Sequence, residues 1–248
     1  MSVLVVSGTG TGVGKTVVTA AVAALARARG ADVAVVKPVQ TGVVPGEDGD
    51  LDAVRRLSGV SDLHEHARFE AALSPAAAAR HAGREPLDLA LSARRISELA
   101  QERRLVLVEG AGGLLVRYDE EGATIADLAH TLKAQVLVVA PPGLGTLNAT
   151  ALTLEAMAHR GLSLAGIVVG CWPNAADLAC RSNLRDLETL GARTLAGALP
   201  EHAARLDEAQ FLAAARAGLS PVLGGTFDAA DFRRRAEQQA TTDTEGTP

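Results

Sequence analysis

The sequence is poor in aromatic residues, and it contains no long apolar run. Aromatic residues make up 2% of the chain, which argues against a stacking surface for single-stranded nucleic acid. The formal net charge is -5 and the arginine clusters are short, so we expect no nucleic-acid partner. No apolar run reaches the roughly 20 residues of a membrane span. The apolar start meets glycine by residue 8 and lacks a basic region, as expected of a strand rather than a signal peptide. We therefore expect no membrane partner.

Cysteine is also scarce. The two cysteines, Cys171 and Cys180, form neither a disulfide framework nor a metal-binding spacing. Reduced thiols are typical of intracellular proteins, so we predict a cytoplasmic location. With 48% hydrophobic and 21% charged residues, the chain can bury a sizeable core. Its 248 residues fit one large α/β domain.

Short apolar runs alternate with helical stretches along the chain. Strands that are apolar throughout and separated by helices predict an α/β fold, with a mostly parallel sheet and helices on both faces. We predict one domain over 1–224 and a partly disordered C-terminal tail over 225–248, of which residues 225–235 could instead form a loose helix. The segment 59–87 reads as a loop followed by a short helix. The predicted strands are 2–7, 32–38, 105–109, 135–141, 164–170 and 193–199. The predicted helices are 15–29, 50–58, 88–103, 124–132, 146–160, 175–190 and 206–217.

A glycine-rich segment, GTGTGVGKT (8–16), follows the first predicted strand and opens the first helix. Glycines let the backbone N–H groups turn toward phosphate oxygens, and the helix N-terminus adds its positive dipole. In this context Lys15 would reach the outer phosphates and the Thr16 hydroxyl would bind Mg²⁺. The loop is a variant of the standard spacing, since Thr9 stands where the first glycine is usual. The segment predicts a single-domain P-loop NTPase fold that binds a nucleoside triphosphate.

Lysine is rare in this chain, which has 21 arginines but only Lys15, Lys37 and Lys133. A lysine kept against this bias indicates a need for an amine, which arginine cannot replace. Lys37 ends the second predicted strand, in KPVQTG (37–42), and points to the same edge as the phosphate loop. It could stabilise an anionic intermediate or a transferring phosphoryl group, or it could be a surface lysine. Thr41 could bind substrate or serve as a turn residue.

Two carboxylates, Glu109 and Asp50, are candidate ligands for a magnesium ion bound to phosphate. Glu109 ends the strand LVLVE and leads into GAGG (110–113), at the edge where parallel strands face a ligand crevice. It could bind Mg²⁺ or face solvent. Asp50 starts a predicted helix among Asp48 and Asp52, and the spacing leaves both an N-cap and a metal ligand open.

Taken together, these stretches resemble the dethiobiotin synthetase family, in the family's order over about residues 1–220. The resemblance implies an enzyme that carboxylates 7,8-diaminononanoate with CO₂ and closes the ring to dethiobiotin, through a carbamate and a carbamic-phosphoric anhydride. ATP would be the co-substrate and Mg²⁺ the cofactor, in biotin biosynthesis. The matching pieces are GTGTGVGKT (8–16), KPVQTG (37–42), the region of Asp50, Ser74-Pro75, VEGAGGLLV (108–116), GLGTLNAT (143–150) and AGIVVG (165–170).

The resemblance also implies roles for individual residues. The catalytic residues would be Lys37, Lys15 and Thr11, and the Mg²⁺ ligands would be Thr16, Asp50 and Glu109. Substrate would bind Thr41 and, from the opposite subunit of a homodimer with active sites at its interface, Leu144, Gly145, Thr146, Leu147 and Asn148. The nucleotide would bind Gly12, Val13, Gly14, Lys15, Thr16, Val17, Asp50, Glu109, Gly110, Ala111, Gly112, Gly170, Cys171, Pro200, Glu201 and His202.

Two positions depart from the family's pattern. Many relatives carry an acidic residue where this chain has Gly10. Many also carry Asn-Asp, which reads adenine, where this chain runs Gly170-Cys171-Trp172-Pro173, so another nucleoside triphosphate could serve. Trp172 could stack on a base or cap the sheet. The alternative function is a P-loop switch ATPase of the partitioning type, although such proteins carry an additional lysine at the place of Gly10.

Overall fold

A single parallel sheet forms the centre of the molecule. The computed structural model describes residues 2–245, with side chains described over 2–238. Seven strands pair in the order β3-β2-β4-β1-β5-β6-β7, and all described pairs are parallel. The strands are Ser2–Gly8 (β1), Val33–Thr41 (β2), Leu63–Phe69 (β3), Leu105–Gly113 (β4), Gln135–Ala140 (β5), Leu164–Trp172 (β6) and Gly197–Pro200 (β7).

Helices cover both faces of this sheet. Successive strand residues point to opposite faces, so Val5 packs in one apolar cluster and Val6 in the other. Helices α1, α2 and α8 cover the face of Val6, and the remaining described helices contribute to the face of Val5. The helices are Lys15–Ala28 (α1), Asp50–Ser58 (α2), Pro75–His81 (α3), Leu89–Glu102 (α4), Ile125–Thr131 (α5), Thr146–His159 (α6), Leu178–Gly191 (α7), Glu208–Gly218 (α8) and Ala229–Glu245 (α9). The predicted α/β fold, with a parallel sheet and helices on both faces, is confirmed.

The edge strand β3 was not predicted. Its segment, LHEHARF, lies where the sequence predicts a loop before a short helix, and only the helix (α3) matches. An edge strand pairs on one side only and is half-buried here, so it lacks the continuous apolar run of the central strands. Strands β2 and β4 also run past their predicted ends, to Thr41 and Gly113.

The first part of the expected C-terminal tail packs on the domain. Phe227 and Ala236 are buried, and the Phe232 ring meets Trp172 edge-on, with ring centroids 5.0 Å apart. These apolar residues are few and stand among charged neighbours, which is why the sequence left both a loose helix and a tail open for residues 225–235. The domain boundary at residue 224 stays a prediction. The last part of the predicted tail, 246–248, lies outside the described residues.

The strand order determines where a site can form. Strand β4 lies between β2 and β1, so the carboxyl ends of these three strands meet at one edge. Ligand crevices of open α/β sheets form at such an edge. Within the described residues, no helix has the length and apolar character needed to cross a membrane.

Candidate active site

A cavity of about 840 Å³ opens at the carboxyl ends of β1, β2 and β4. It brings together the phosphate loop, the end of β2, the start of α2 and the end of β4. Ser74 and Pro75, at the start of α3, close one side. The predicted residues that line it are Thr11, Gly12, Gly14, Lys15, Thr16, Val17, Lys37, Thr41, Asp50, Glu109, Ala111 and Gly112.

The glycine-rich loop packs against the end of β6. Gly14 has φ +96°, and a Cβ there would come within 2.5 Å of the Gly170 carbonyl oxygen. A Cβ on Gly170 would in turn overlap the Val13 carbonyl. Only glycine fits both positions, so the structure places Gly170 directly behind the loop that precedes α1.

Lys15 is buried and turned toward the loop. Its Nζ donates to the Gly10 carbonyl oxygen at 2.8 Å. Burial, together with the nearby charge of Lys37, lowers the pKa of Lys15 to about 8. The ammonium is thus held where a triphosphate would lie along the loop, and its proton is weakly held compared with that of an exposed lysine.

Lys37 is the centre of an ion-pair network. Its Nζ lies 2.8 Å from Glu109 Oε1 and 2.5 Å from Asp50 Oδ2, and it donates to the Gly110 carbonyl oxygen at 3.3 Å. Burial alone would lower the pKa of Lys37, but the two carboxylates raise it above its usual range. Burial would likewise raise the pKa of Asp50, but the Lys37 ammonium lowers it below its usual value. Lys37 is therefore a buried lysine paired with two carboxylates and not a surface lysine.

Glu109 offers a free carboxylate oxygen to the site. The residue is fully buried, and its Oε1 accepts from Lys37 and from the Thr16 hydroxyl, the latter at 2.8 Å. Its Oε2 is buried with no hydrogen-bond partner among the described residues. An orphaned carboxylate oxygen of this kind is an unused ligand for a cation.

Thr16, Asp50 and Glu109 suit a magnesium ion that also binds phosphate. The described residues contain no group of three or more His, Cys, Asp or Glu side chains that could hold a metal alone. Mg²⁺ bound to substrate phosphates needs only one or two carboxylates, with waters completing its shell. The donors present therefore fit Mg²⁺ on a nucleotide.

The structure separates the two interpretations of Asp50. Helix α2 has Gly49 as its N-cap, and the Asp52 Oδ2 accepts from the Gly49 N–H at 2.9 Å. Capping thus falls to Asp52, which leaves the Asp50 side chain free to face Lys37. The Asp50 N–H donates to Gln40 Oε1 at 3.0 Å. Gln40 is a buried amide that sequence reasoning missed, because the predicted strand ends at residue 38, before Gln40.

Other predicted residues lie outside the cavity. The predicted base site follows the ends of β6 and β7, where the Glu201 N–H donates to the Trp172 carbonyl oxygen at 2.9 Å. The Trp172 ring itself packs on Phe232. The segment around Leu144 forms the start of α6, away from the cavity lining, and Leu144 is 89% exposed. The predicted residues outside the cavity lining are Val13, Gly110, Gly170, Cys171, Pro200, Glu201, His202, Leu144, Gly145, Thr146, Leu147 and Asn148.

This parallel sheet, with a glycine-rich loop and a Lys-Thr pair opening a helix at its carboxyl edge, defines a P-loop NTPase. Cell division ATPase MinD from Pyrococcus furiosus shares the fold, with a TM-score of 0.54 at 19% identity over 97% of this chain and 99% of that one. A ParA family ATPase from Chlorobium tepidum gives 0.52 at 15% identity over 94% of this chain and 98% of that one. At these identities the likeness shows the fold alone.

Sequence comparison identifies the family. A family described as AAA domain matches residues 2–208. The ATP-dependent dethiobiotin synthetase BioD of Frankia casuarinae is 65% identical, over 96% of this chain and all of that protein. The protein of the same name from Saccharopolyspora erythraea is 60% identical, over 92% of this chain and 99% of that one. This chain belongs to the dethiobiotin synthetase family, so the predicted family and P-loop NTPase fold are confirmed.

Proposed function

We propose that this protein is an ATP-dependent dethiobiotin synthetase that acts on 7,8-diaminononanoate and CO₂ in biotin biosynthesis. The observation that carries the proposal is the buried Lys37 ammonium, which shares one cavity with the phosphate loop. A cation at that place suits a reaction in which a substrate anion must approach a triphosphate. Relatives named ATP-dependent dethiobiotin synthetase support the same conclusion.

The reaction has three steps. One substrate amine attacks the carbon of CO₂ and loses a proton, which gives a carbamate. A carbamate oxygen then attacks the γ-phosphorus of ATP and displaces ADP, which gives a carbamic-phosphoric anhydride. The second amine attacks the carbonyl carbon of this anhydride and loses a proton, so that the new C–N bond closes the ureido ring while the C–O bond to phosphate breaks and phosphate leaves.

The lysines have distinct parts in this scheme. The loop N–H groups and Lys15 bind the triphosphate, and Thr11 contacts the γ-phosphate or the substrate from the cavity wall. Lys37 holds the carbamate and the transferring phosphoryl group. Its ammonium already lies in the cavity, and the neighbouring carboxylates favour its charged form. Thr41, at the end of β2, contacts the substrate from the same wall.

Magnesium completes the charge balance of the proposed site. Thr16, Asp50 and Glu109 would hold it, and the Glu109 Oε2, which has no partner in the described part of the chain, supports this assignment. When bound, the ion neutralises part of the phosphate charge and polarises the bonds to the transferred group. Without it, Lys15 and Lys37 only balance Asp50 and Glu109, which leaves the charge of a triphosphate uncompensated.

The substrate carboxylate is proposed to bind the start of α6 of a second subunit. Backbone N–H groups at a helix N-terminus attract carboxylates, and Thr146 adds a buried hydroxyl with no partner among the described residues. The segment Leu144–Asn148 does not line this chain's own cavity. A homodimer with active sites at its interface would bring it to the partner's cavity.

The binding position of the nucleotide base and the cellular location of the protein are also proposals. The base would lie along Gly170, Cys171 and the segment of residues 200–202, and ATP is the expected co-substrate. We place the reaction in the cytoplasm because Cys171 and Cys180 are both free thiols.

The decisive test follows the product by mass spectrometry. Purified protein is given 7,8-diaminononanoate, bicarbonate and Mg²⁺ with ATP, CTP or GTP in turn. Dethiobiotin that needs both bicarbonate and triphosphate, and disappears in Lys37→Ala, supports the proposal and identifies the nucleotide. No dethiobiotin with any nucleotide, alongside ATP hydrolysis without the diamine, would instead favour the switch ATPase.

A further inference from the structure

Tyr118 is the only tyrosine of the chain, and it lies behind the wall of the cavity. The residue is fully buried in the apolar cluster of one sheet face. Its backbone N–H donates to the Ala123 carbonyl oxygen at 2.8 Å, which anchors the loop that carries it. Its hydroxyl oxygen accepts from the Ala111 N–H at 2.9 Å. Burial raises the pKa of Tyr118, so the hydroxyl stays neutral.

The hydrogen bond from Ala111 orients a whole peptide group. The Ala111 N–H and the Gly110 carbonyl belong to one planar unit whose polar atoms point in opposite directions. On the far side of this unit, the Gly110 oxygen accepts from Lys37 Nζ at 3.3 Å. The 110–111 peptide is therefore held between the Tyr118 hydroxyl and the Lys37 ammonium.

This peptide completes the set of acceptors around Lys37. An ammonium has three N–H donors, and Glu109, Asp50 and the Gly110 carbonyl accept them. The two carboxylates are drawn to Lys37 by charge, but the carbonyl is neutral and depends on the orientation of its peptide. Gly112, with φ +68°, leaves the following backbone free to turn.

We propose that Tyr118 is a positioning residue for Lys37, because its hydroxyl holds the 110–111 peptide so that the Gly110 carbonyl fixes the ammonium's third N–H. Tyr118 touches no reactant, since Ala111 stands between its hydroxyl and the cavity. The catalytic consequence rests on the proposed role of Lys37 toward the carbamate and the transferring phosphoryl group. The structural consequence, a fixed Lys37, is independent of that role.

The first test is Tyr118→Phe, which keeps the ring and removes only the acceptor for the Ala111 N–H. We expect kcat for dethiobiotin formation to fall about fivefold or more, the scale of one lost hydrogen bond. The KM for ATP should stay within about twofold, because the phosphate loop is untouched. Phe211→Leu is the matched control: it disturbs the core on the opposite face, loses stability, and leaves kcat within about twofold.

The second test does not depend on the reaction. A small acylating reagent labels lysines, and the three lysines of the chain give an unambiguous peptide map, with exposed Lys133 as internal standard. We expect Lys37 in Tyr118→Phe to be labelled about threefold faster relative to Lys133, because one restraint on the ammonium is lost. An unchanged labelling ratio overturns the inference whatever the activity, and so does a kcat within about twofold of wild type. If the wild type makes no dethiobiotin, the proposed function fails and labelling alone decides the role of Tyr118.

Discussion

Lys37 and Glu109 are 72 residues apart in the chain, and their side chains meet with 2.8 Å between Nζ and Oε1. The contact joins the middle of β2 to the middle of β4, one residue past Val36 and Val108, the last pair between these neighbouring strands. Neither residue is accessible enough for solvent to screen this pair, since Lys37 is 2% and Glu109 0% exposed. One hydrogen bond therefore links Lys37, the proposed phosphoryl-transfer lysine, to Glu109, a proposed metal ligand.

Replacing Lys37 with arginine should nearly abolish dethiobiotin formation, by about 100-fold or more. The planar guanidinium keeps the charge but cannot place three converging donors among Glu109, Asp50 and Gly110. Initial rates of product formation measure the loss. Lys133→Arg makes the same chemical change at an exposed lysine and should stay within about twofold of wild type. Comparable rates for the two variants would contradict the assignment of Lys37.

Binding of ATP should weaken as the pH rises through about 8, the pKa of Lys15. Below that pH Lys15 carries the charge that attracts the phosphates, and above it the amine becomes neutral. The dissociation constant should therefore increase, by up to about tenfold per pH unit, between about pH 8 and pH 9.5. Calorimetric titration at constant ionic strength measures it.

The control for this pH dependence is Lys15→Arg. Arginine stays charged throughout the range, so its affinity for ATP should be lower but nearly flat with pH. If wild-type affinity is also flat, the charge of Lys15 does not govern phosphate binding.

Changing Glu109 to glutamine should remove the effect of Mg²⁺ on ATP affinity. The amide is a weaker ligand than a carboxylate, and the oxygen that has no partner among residues 2–238 no longer carries charge. Nucleotide binding is measured with and without Mg²⁺ in both proteins. Glu208→Gln, at an exposed carboxylate paired with Arg27, should keep the full Mg²⁺ effect. A full Mg²⁺ effect in Glu109→Gln as well would remove Glu109 from the proposed metal site.

The packing of α9 on Trp172 can be followed with the tryptophan itself, the only one in the chain. Phe232→Ala removes the ring that meets Trp172 edge-on. We expect the free energy of unfolding in urea to fall by about 2 kcal/mol, less than for a fully buried phenylalanine, with a red shift of tryptophan emission. Phe232→Leu, which keeps most of the apolar volume, should lose less. Unchanged emission in Phe232→Ala would show that the contact does not shield Trp172.

A site shared between two subunits predicts that two inactive variants rescue each other. Lys37→Ala removes the lysine on one side, and Asn148→Glu places a repelling carboxylate in the first turn of α6, where helix stability tolerates it. Each homodimer should be inactive. Coexpression of the two should restore about a quarter of wild-type activity, because half the dimers are mixed and each has one intact site. No recovery, in dimers shown by ultracentrifugation to be mixed, would contradict the shared site.

The sequence was sufficient for features that depend on local chemistry. The segment 8–16 predicted a phosphate loop, because the glycine spacing, the Lys-Thr pair and the flanking strand and helix can all be read from neighbouring residues. The central strands were readable because buried parallel strands are apolar throughout. The scarcity of lysine singled out Lys37, which the structure shows to be a buried cation.

Other features depended on partners distant in sequence. The spacing around Asp50 could not separate a helix cap from a site residue, and only the folded chain shows Asp52 on the cap and Asp50 on Lys37. Strand β3 and the packing of Phe227 and Phe232 were missed because the apolar residues of both segments are few and interrupted by charged ones, such as Glu65 in β3. Gln40 and Tyr118 act through hydrogen bonds to backbone groups, which leave no pattern in the sequence.

The sequence by itself determined the family, the phosphate loop and the strands that form the core, because each depends on the types and spacing of residues close together in the chain. The tertiary structure decided which charges meet. Strand order places β2 beside β4, and burial then makes Lys37, Asp50 and Glu109 one ion-pair network. The strength of the interactions among these charges, and the direction of the pKa shifts that they cause, depend on distance and on the exclusion of water. Both conditions exist only after folding.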